Sequence, residues 1–196
     1  MVSDLPHVST SRMALQVQEK SVRNSVAMSP DPEKSDNKAE RAKCSIGIRV
    51  EPSKIHWAVV TGSNAQPILE GADALPAPKS WAEAAALQWY RNQVIQLIER
   101  YNPSSAVIRD TEVSGHLQVQ SLQTRCRIEG VVIEAAQSKA LVVTSGRLNK
   151  MSALLDTKSA KKYITSDEFR GVDLSRYAPY TREAILVAVA GLEEHT

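Results

Sequence analysis

The stretch Cys44-Ser45-Ile46-Gly47-Ile48-Arg49-Val50, followed by Ile55-His56-Trp57-Ala58-Val59-Val60, decides the fold. Both runs are rich in β-branched and aromatic residues and too short for a buried helix, so each reads as a strand. Between them, Glu51-Pro52-Ser53-Lys54 supplies turn chemistry, with proline fixing φ near a corner. Two strands joined this tightly form an antiparallel hairpin. Arg49 is the anomaly: a permanently charged side chain in an otherwise apolar strand.

Working outward from the hairpin, Pro67-Ile68-Leu69-Glu70 reads as a third antiparallel strand, and Ala74-Leu75-Pro76-Ala77-Pro78 as a surface connection. Ser80 with Glu83 three residues later has the form of a capping box, opening a helix over 80–100 that Asn102-Pro103 ends. Ser105-Ala106-Val107-Ile108-Arg109-Asp110 is a fourth strand, reached through a helical crossover and so expected to run parallel to its neighbour. A second helix is expected over 117–136, with Gly130 permitting a close neighbour, and Leu141-Val142-Val143-Thr144 is strand five. A basic helix over 150–164 and a last helix over 181–194 complete the order βββαβαβαα. The expected class is α/β, with a mixed five-stranded sheet of three antiparallel then two parallel strands, flanked by helices.

Composition bounds the partners. The 196 residues carry a formal charge of +2 with 42% hydrophobic and 23% charged residues, ordinary for one globular domain and a tail. So balanced a charge leaves nucleic-acid binding to a local patch. The tail is 1–43, which lacks aromatic residues and includes Ser29-Pro30-Asp31-Pro32-Glu33-Lys34-Ser35-Asp36; it reads as a disordered leader or a partner-binding arm, with the folded domain at 44–196. Its start does not have the layout of a secretory signal, and no apolar run approaches the ~20 residues of a membrane span. Cys44 and Cys126 stand far apart outside any Cys/His cluster, which fits a reducing cytoplasm and neither a zinc site nor a disulfide framework.

With Ile46-Gly47-Ile48, Val107-Ile108-Arg109-Asp110, Thr124-Arg125-Cys126-Arg127-Ile128-Glu129-Gly130 and the small-residue run 182–190 in that order, the chain resembles the ribonuclease H-like superfamily. Within it, residues 45–193 resemble Holliday-junction resolvases of the RuvC kind. The sequence looks closer still to a small bacterial family of unknown function. The resemblance implies a site in which carboxylates hold two Mg or Mn ions roughly 4 Å apart for phosphodiester hydrolysis. Its first acid would stand at Arg49, whose guanidinium cannot ligate a metal. The second falls on Asp110, with Glu112 on the same side if the strand persists. Two acids one turn apart on the last helix would fall on Tyr180 and Glu183; Glu51 is a substitute ligand only if strand one continues past the turn. Asp110 reads either as a ligand or as the partner of Arg49, and the presence of Arg49 favours the ion pair. Arg49 is accordingly expected to replace the metal structurally, in a degenerate site without a cofactor.

Other chemistries find less support. His7, His56, His116 and His195 have no metal-ligand spacing, and His116 beside Asp110 is an isolated acid–base candidate. The actin-like kinases share this sheet, but Arg49-Val50-Glu51-Pro52-Ser53 offers no glycine-rich phosphate loop.

Between Ser138 and Thr165, Lys139, Arg147, Lys150, Lys158, Lys161 and Lys162 face one acid, Asp156. Spacings of three and four put Lys158, Lys161 and Lys162 on one face of an unbroken helix. The stretch reads as a solvated basic helix or as a phosphate-binding surface formed by Arg147, Lys150, Lys158, Lys161 and Lys162. The leading expectation is an inactive RuvC-like domain that binds DNA or RNA or serves assembly. The alternatives are a divergent Mg- or Mn-dependent nuclease using Asp110, Glu112, Glu183 and Glu51, and a protein-interaction subunit, with a protein partner or a homodimer.

Overall fold

The computed structural model describes residues 43–112 and 118–192. The hairpin forms from β1 (Lys43–Glu51) and β2 (Lys54–Gly62), with Glu51 opposite Lys54 across Pro52-Ser53. β3 (Pro67–Pro76) pairs antiparallel with β2, while β4 (Ser105–Arg109) and β5 (Val142–Gly146) add in parallel on the other side of β1. The strand order β3-β2-β1-β4-β5 is the mixed sheet expected from the sequence. β3 continues through Ala74-Leu75-Pro76, which the proline count had suggested was loop; Pro76 closes the edge strand, where an amide is not needed by a further neighbour.

Side-chain alternation sends the strands' residues to two separate cores. Ile46, Ile48 and Val50 of β1 with Ala106 and Ile108 of β4 pack under α1 (Glu83–Tyr101) and α2 (Val119–Ser138). Ala58, Val60 and Val107 face α5 (Pro179–Ala190) on the opposite side. Every residue of α5 from Glu183 to Ala190 is buried. A helix apolar around its whole circumference needs cover on its far side as well. That cover comes from Met151, Leu155, Ala160, Phe169, Val172 and Leu174, in or next to α3 (Leu148–Leu154), α4 (Lys161–Ile164) and a small hairpin of β6 (Glu168–Phe169) and β7 (Val172–Asp173).

Three sequence expectations are corrected. α1 starts at Glu83 behind an extended Ala82, without a side-chain cap. Glu83 is drawn to Arg127 of α2, 2.6 Å away, rather than back to Ser80. The basic stretch is not one helix. After Leu155 the chain turns at Asp156 (φ 45°), held there by Thr157 N–H on the Ser152 carbonyl (2.9 Å), Ala160 N–H on Ser152 Oγ (2.8 Å) and the Arg170 guanidinium on the Leu155 carbonyl. Lys158 therefore sits in a connection and shares no continuous helical face with Lys161 and Lys162. Finally, the β6–β7 hairpin has no counterpart in the expected order. Residues 1–42, Leu117, His116 and the last positions of the expected C-terminal helix lie outside the described residues. Among the described residues no helix is long and apolar enough to cross a membrane.

Candidate functional site

β1 and β4 run parallel with Arg49 directly beside Arg109. Both follow an isoleucine that enters the α1/α2 core, so both side chains emerge on the other face, toward α5. Gly47, two residues before Arg49, makes room there: a Cβ at this position would stand 2.1 Å from the Ala184 carbonyl oxygen and 2.4 Å from the Ala188 nitrogen. The helix can thus lie almost on the strand, which brings Glu183 over the two arginines.

The result is a buried triad. Glu183 Oε2 lies 3.1 Å from Arg49 Nε and 3.4 Å from Arg109 Nε, with the three residues only 4–9% exposed. Neither Nε–H is aimed along a hydrogen-bond direction, so these are ion contacts rather than directed bonds. Arg49 Nη1 donates to the Arg109 carbonyl at 3.5 Å, and its guanidinium carbon is 5.5 Å from the centre of the Tyr180 ring. Burial pushes the Glu183 carboxyl above its usual pKa, opposed by the charges of Arg49 and Arg109. Burial likewise pushes the Arg49 guanidinium down, opposed by Glu183.

The other expected acids are dispersed around this centre. Glu112 reaches Arg109 Nη2 at 3.2 Å and accepts the Leu148 N–H at 3.1 Å, tying the end of β4 to the start of α3. Although partial burial alone would raise the Glu112 pKa, that amide and the charges of Arg109 and Arg147 hold it below the ordinary 4.5. A depressed carboxyl contributes stability above its ordinary pKa and loses it as pH falls through the folded value. We expect urea midpoints of the parent protein to drop more steeply than those of Glu112→Gln as pH falls below 4.5. Parallel slopes would remove Glu112 from this role.

Glu51 stands 3.4 Å from Lys54 Nζ and 3.7 Å from His56 Nε2. Burial holds the His56 pKa down, so its ring is neutral near pH 7; its Nδ1 meets Thr181 Oγ1 at 2.8 Å. The expected Arg49–Asp110 ion pair is corrected: Arg49 pairs with Glu183. Strand register explains the shift. Arg109, one residue earlier, takes the position beside Arg49, whereas Asp110 donates its N–H to Gly146 O (3.0 Å) and neighbours Glu129 of α2. Glu129 accepts from the Thr111 hydroxyl, and burial raises its pKa.

A two-metal site requires carboxylates converging on the ions. The residues here do not fit that need. Two guanidinium groups occupy the centre, and among the described residues no group of three or more His, Cys, Asp or Glu is placed to hold a metal ion.

Sequence reasoning found Arg49 and Glu183 but overlooked Arg109 and Arg125, whose buried Nε lacks a hydrogen-bond partner and whose charge acts on Arg49. The signal for Arg109 was present: Gly47-Ile48-Arg49 and Val107-Ile108-Arg109 share their parity relative to the core isoleucine. For Arg125 no such signal existed.

The basic residues are separated. Arg147 and Lys161 border a polar cavity of about 400 Å³ together with Glu112, Asn149 and Ser159. Lys150 folds back to donate to the Ser145 carbonyl at 2.8 Å, and Lys162 lies over the Tyr163 ring at 4.5 Å. Lys158 is in the connection between α3 and α4.

No family model matches the chain, and no curated protein matches it in sequence. Solved structures do. The RuvC structure from Thermus thermophilus superposes with a TM-score of 0.64 at 14% identity, over 75% of this chain and 92% of that one. The T. thermophilus RuvC complex with a Holliday junction substrate gives 0.62 at 12% identity, over 76% and 91%. The yeast mitochondrial Holliday junction resolvase gives 0.50 at 10% identity, over 76% and 77%. The chain has a ribonuclease H-like fold. Within that class, its architecture is of the RuvC type.

Proposed function

We propose that this chain is a RuvC-type domain that binds nucleic acid without cleaving it. The observation that carries the reading is the convergence of Arg49 and Arg109 on one buried Glu183 oxygen. The guanidinium charges occupy the ground that hydrolysis would need for metal ions, and they join β1, β4 and α5 through charge instead. Catalysis through Mg or Mn at Asp110, Glu112, Glu183 and Glu51 is disfavoured because those acids are engaged with arginines, amides or His56, or face another element. Binding does not need such a site. Arg147 and Lys161 border, with Glu112, one polar cavity at the carboxyl end of the parallel strands; Glu112 is held by Arg109 and the Leu148 amide, and the two cations suit phosphate oxygens. Lys158 and Lys162 add positive charge on the connecting segment and α4. A cytoplasmic setting agrees with Cys44 and Cys126 as free thiols.

Fluorescence anisotropy with labelled four-way, duplex and single-stranded DNA, and with RNA, tests the reading across 50–200 mM salt. Binding should weaken steeply with salt, and Arg147→Glu with Lys161→Glu should reduce the log–log slope by about 2. No strand should be cut when Mg or Mn is added. Lack of affinity at low salt for every probe, or metal-dependent cleavage that disappears in Asp110→Ala, would overturn it.

A further inference from the structure

A second feature lies on the opposite face of the sheet from the triad. A groove of about 540 Å³ runs between the β1–β2 turn, the β3–α1 connection and the first turns of α1 and α2. Leu87, Tyr90 and Ile128 form part of its apolar lining. Trp81 stands in its wall and remains 45% exposed, the largest aromatic surface left open among the described residues. The indole is braced: Trp89 meets it edge-to-face at 6.4 Å, and Tyr90 meets Trp89 at 5.2 Å. Tyr90 is fixed in turn by accepting the Ala77 N–H at 3.3 Å. An exposed ring held by an aromatic chain loses little freedom when a flat ligand stacks on it.

The polar part of the wall has a different chemistry. Gln120, Gln123 and Thr124 each present neutral groups able both to donate and to accept. Arg127 is neutralised by Glu83 at 2.6 Å, which leaves Lys79 as the groove's net positive charge. A flat apolar face, amide and hydroxyl groups for a heteroatom edge and one cation for a phosphate match an unpaired nucleotide. The volume lies in the range of small-ligand sites. Position supports the same occupant. Pro52 and Ser53 of the groove follow the carboxyl end of β1, and the Arg147/Lys161 cavity follows the carboxyl end of the parallel β5, so both lie toward the same end of the parallel strands.

We propose that this groove receives an unpaired nucleobase stacked on Trp81 while the adjacent backbone is held by basic side chains, so that the domain selects single-stranded or locally opened nucleic acid. The inference rests on the nucleic-acid reading above. It assigns Trp81 a recognition role and leaves Arg147 and Lys161 their phosphate role.

The test uses the full chain with a labelled single strand and the same strand carrying abasic residues. For the parent protein, the intact strand should bind roughly tenfold or more tightly than the abasic one, the size expected of a base–aromatic stack. Trp81→Ala should remove that difference by weakening the intact strand alone, with the salt slope unchanged, and Trp81→Phe should retain most of it. Circular dichroism controls for folding, and light scattering reports oligomeric state. Equal binding of both strands in parent and Trp81→Ala, with salt-dependent affinity intact, would overturn the base pocket and leave the proposed function standing. Loss of a dimer in Trp81→Ala without any base dependence would overturn it in favour of a second copy in the groove. Absence of all salt-dependent binding would remove both readings.

Discussion

Glu183→Ala is expected to lower unfolding stability by about 3–5 kcal/mol, the range found when one partner of a buried ion pair is removed. The loss has two origins. Arg49 and Arg109 would remain buried side by side without a counter-charge, and the space left by the carboxyl group would lie beneath a tightly packed helix. Glu183→Gln should cost less, since it keeps the volume, but it should remain clearly destabilising because both guanidinium groups still lose their counter-charge. The amide fills the space of the carboxyl group beneath the helix, so the difference between the two variants separates the cavity from the lost charge. The combined replacement Arg49→Met, Arg109→Met, Glu183→Leu should be near neutral or stabilising, because it removes all three desolvation penalties together. Urea unfolding monitored by circular dichroism gives the three values. A loss under about 1 kcal/mol in Glu183→Ala would show that the triad does not clamp β1, β4 and α5.

Gly47→Ala should be comparably severe, at about 3 kcal/mol or more, beyond the usual cost of an added methyl group. The new carbon would meet backbone of α5 at 2.1 and 2.4 Å, and backbone cannot rotate away as a side-chain tip can. Relief would require α5 to lift from β1, which would withdraw Glu183 from both arginines. Gly130→Ala is the internal contrast. It lies within α2 with nothing inside 4 Å of the added carbon, so helix propensity should raise stability by about 0.5–1 kcal/mol. The same unfolding experiment reads both, and equal effects of the two substitutions would refute the close-approach argument.

The two glycines also show how far the sequence could be read. Gly130 had been expected to admit a close neighbour, yet its surroundings are open. At Gly47 the neighbour arrives more than a hundred residues later in the chain, so nothing local announces it. Helix starts failed for a similar reason. Ser80 and Glu83 have capping-box spacing, but Arg127 competes for the carboxylate from another helix. The lysines at 158, 161 and 162 have helical spacing, and Ser152 and Arg170 nevertheless hold the chain in a turn between them.

Within the candidate site, Arg49 could be identified as incompatible with a metal ligand because a guanidinium is protonated wherever it lies. Its partner could not. Asp110 and Glu183 both stood as candidate acids, and one residue of strand register separated them by setting Arg109, not Asp110, beside Arg49, since a one-residue shift transfers a side chain to the other face of the sheet.

Alternation, turn residues and helical periodicity are properties of neighbouring residues, and by themselves they determined the strand order's raw material: a hairpin, a third strand and two crossover units carrying a cation at the expected acid. Only the tertiary structure decided that Arg49 and Arg109 share Glu183, that the basic stretch breaks in two, and that Trp81 stays open over a groove. Those outcomes depend on how closely α5 can approach Gly47, how β1 and β4 align, and how α1 meets α2. These are distances between segments far apart in the chain, which local patterning does not encode.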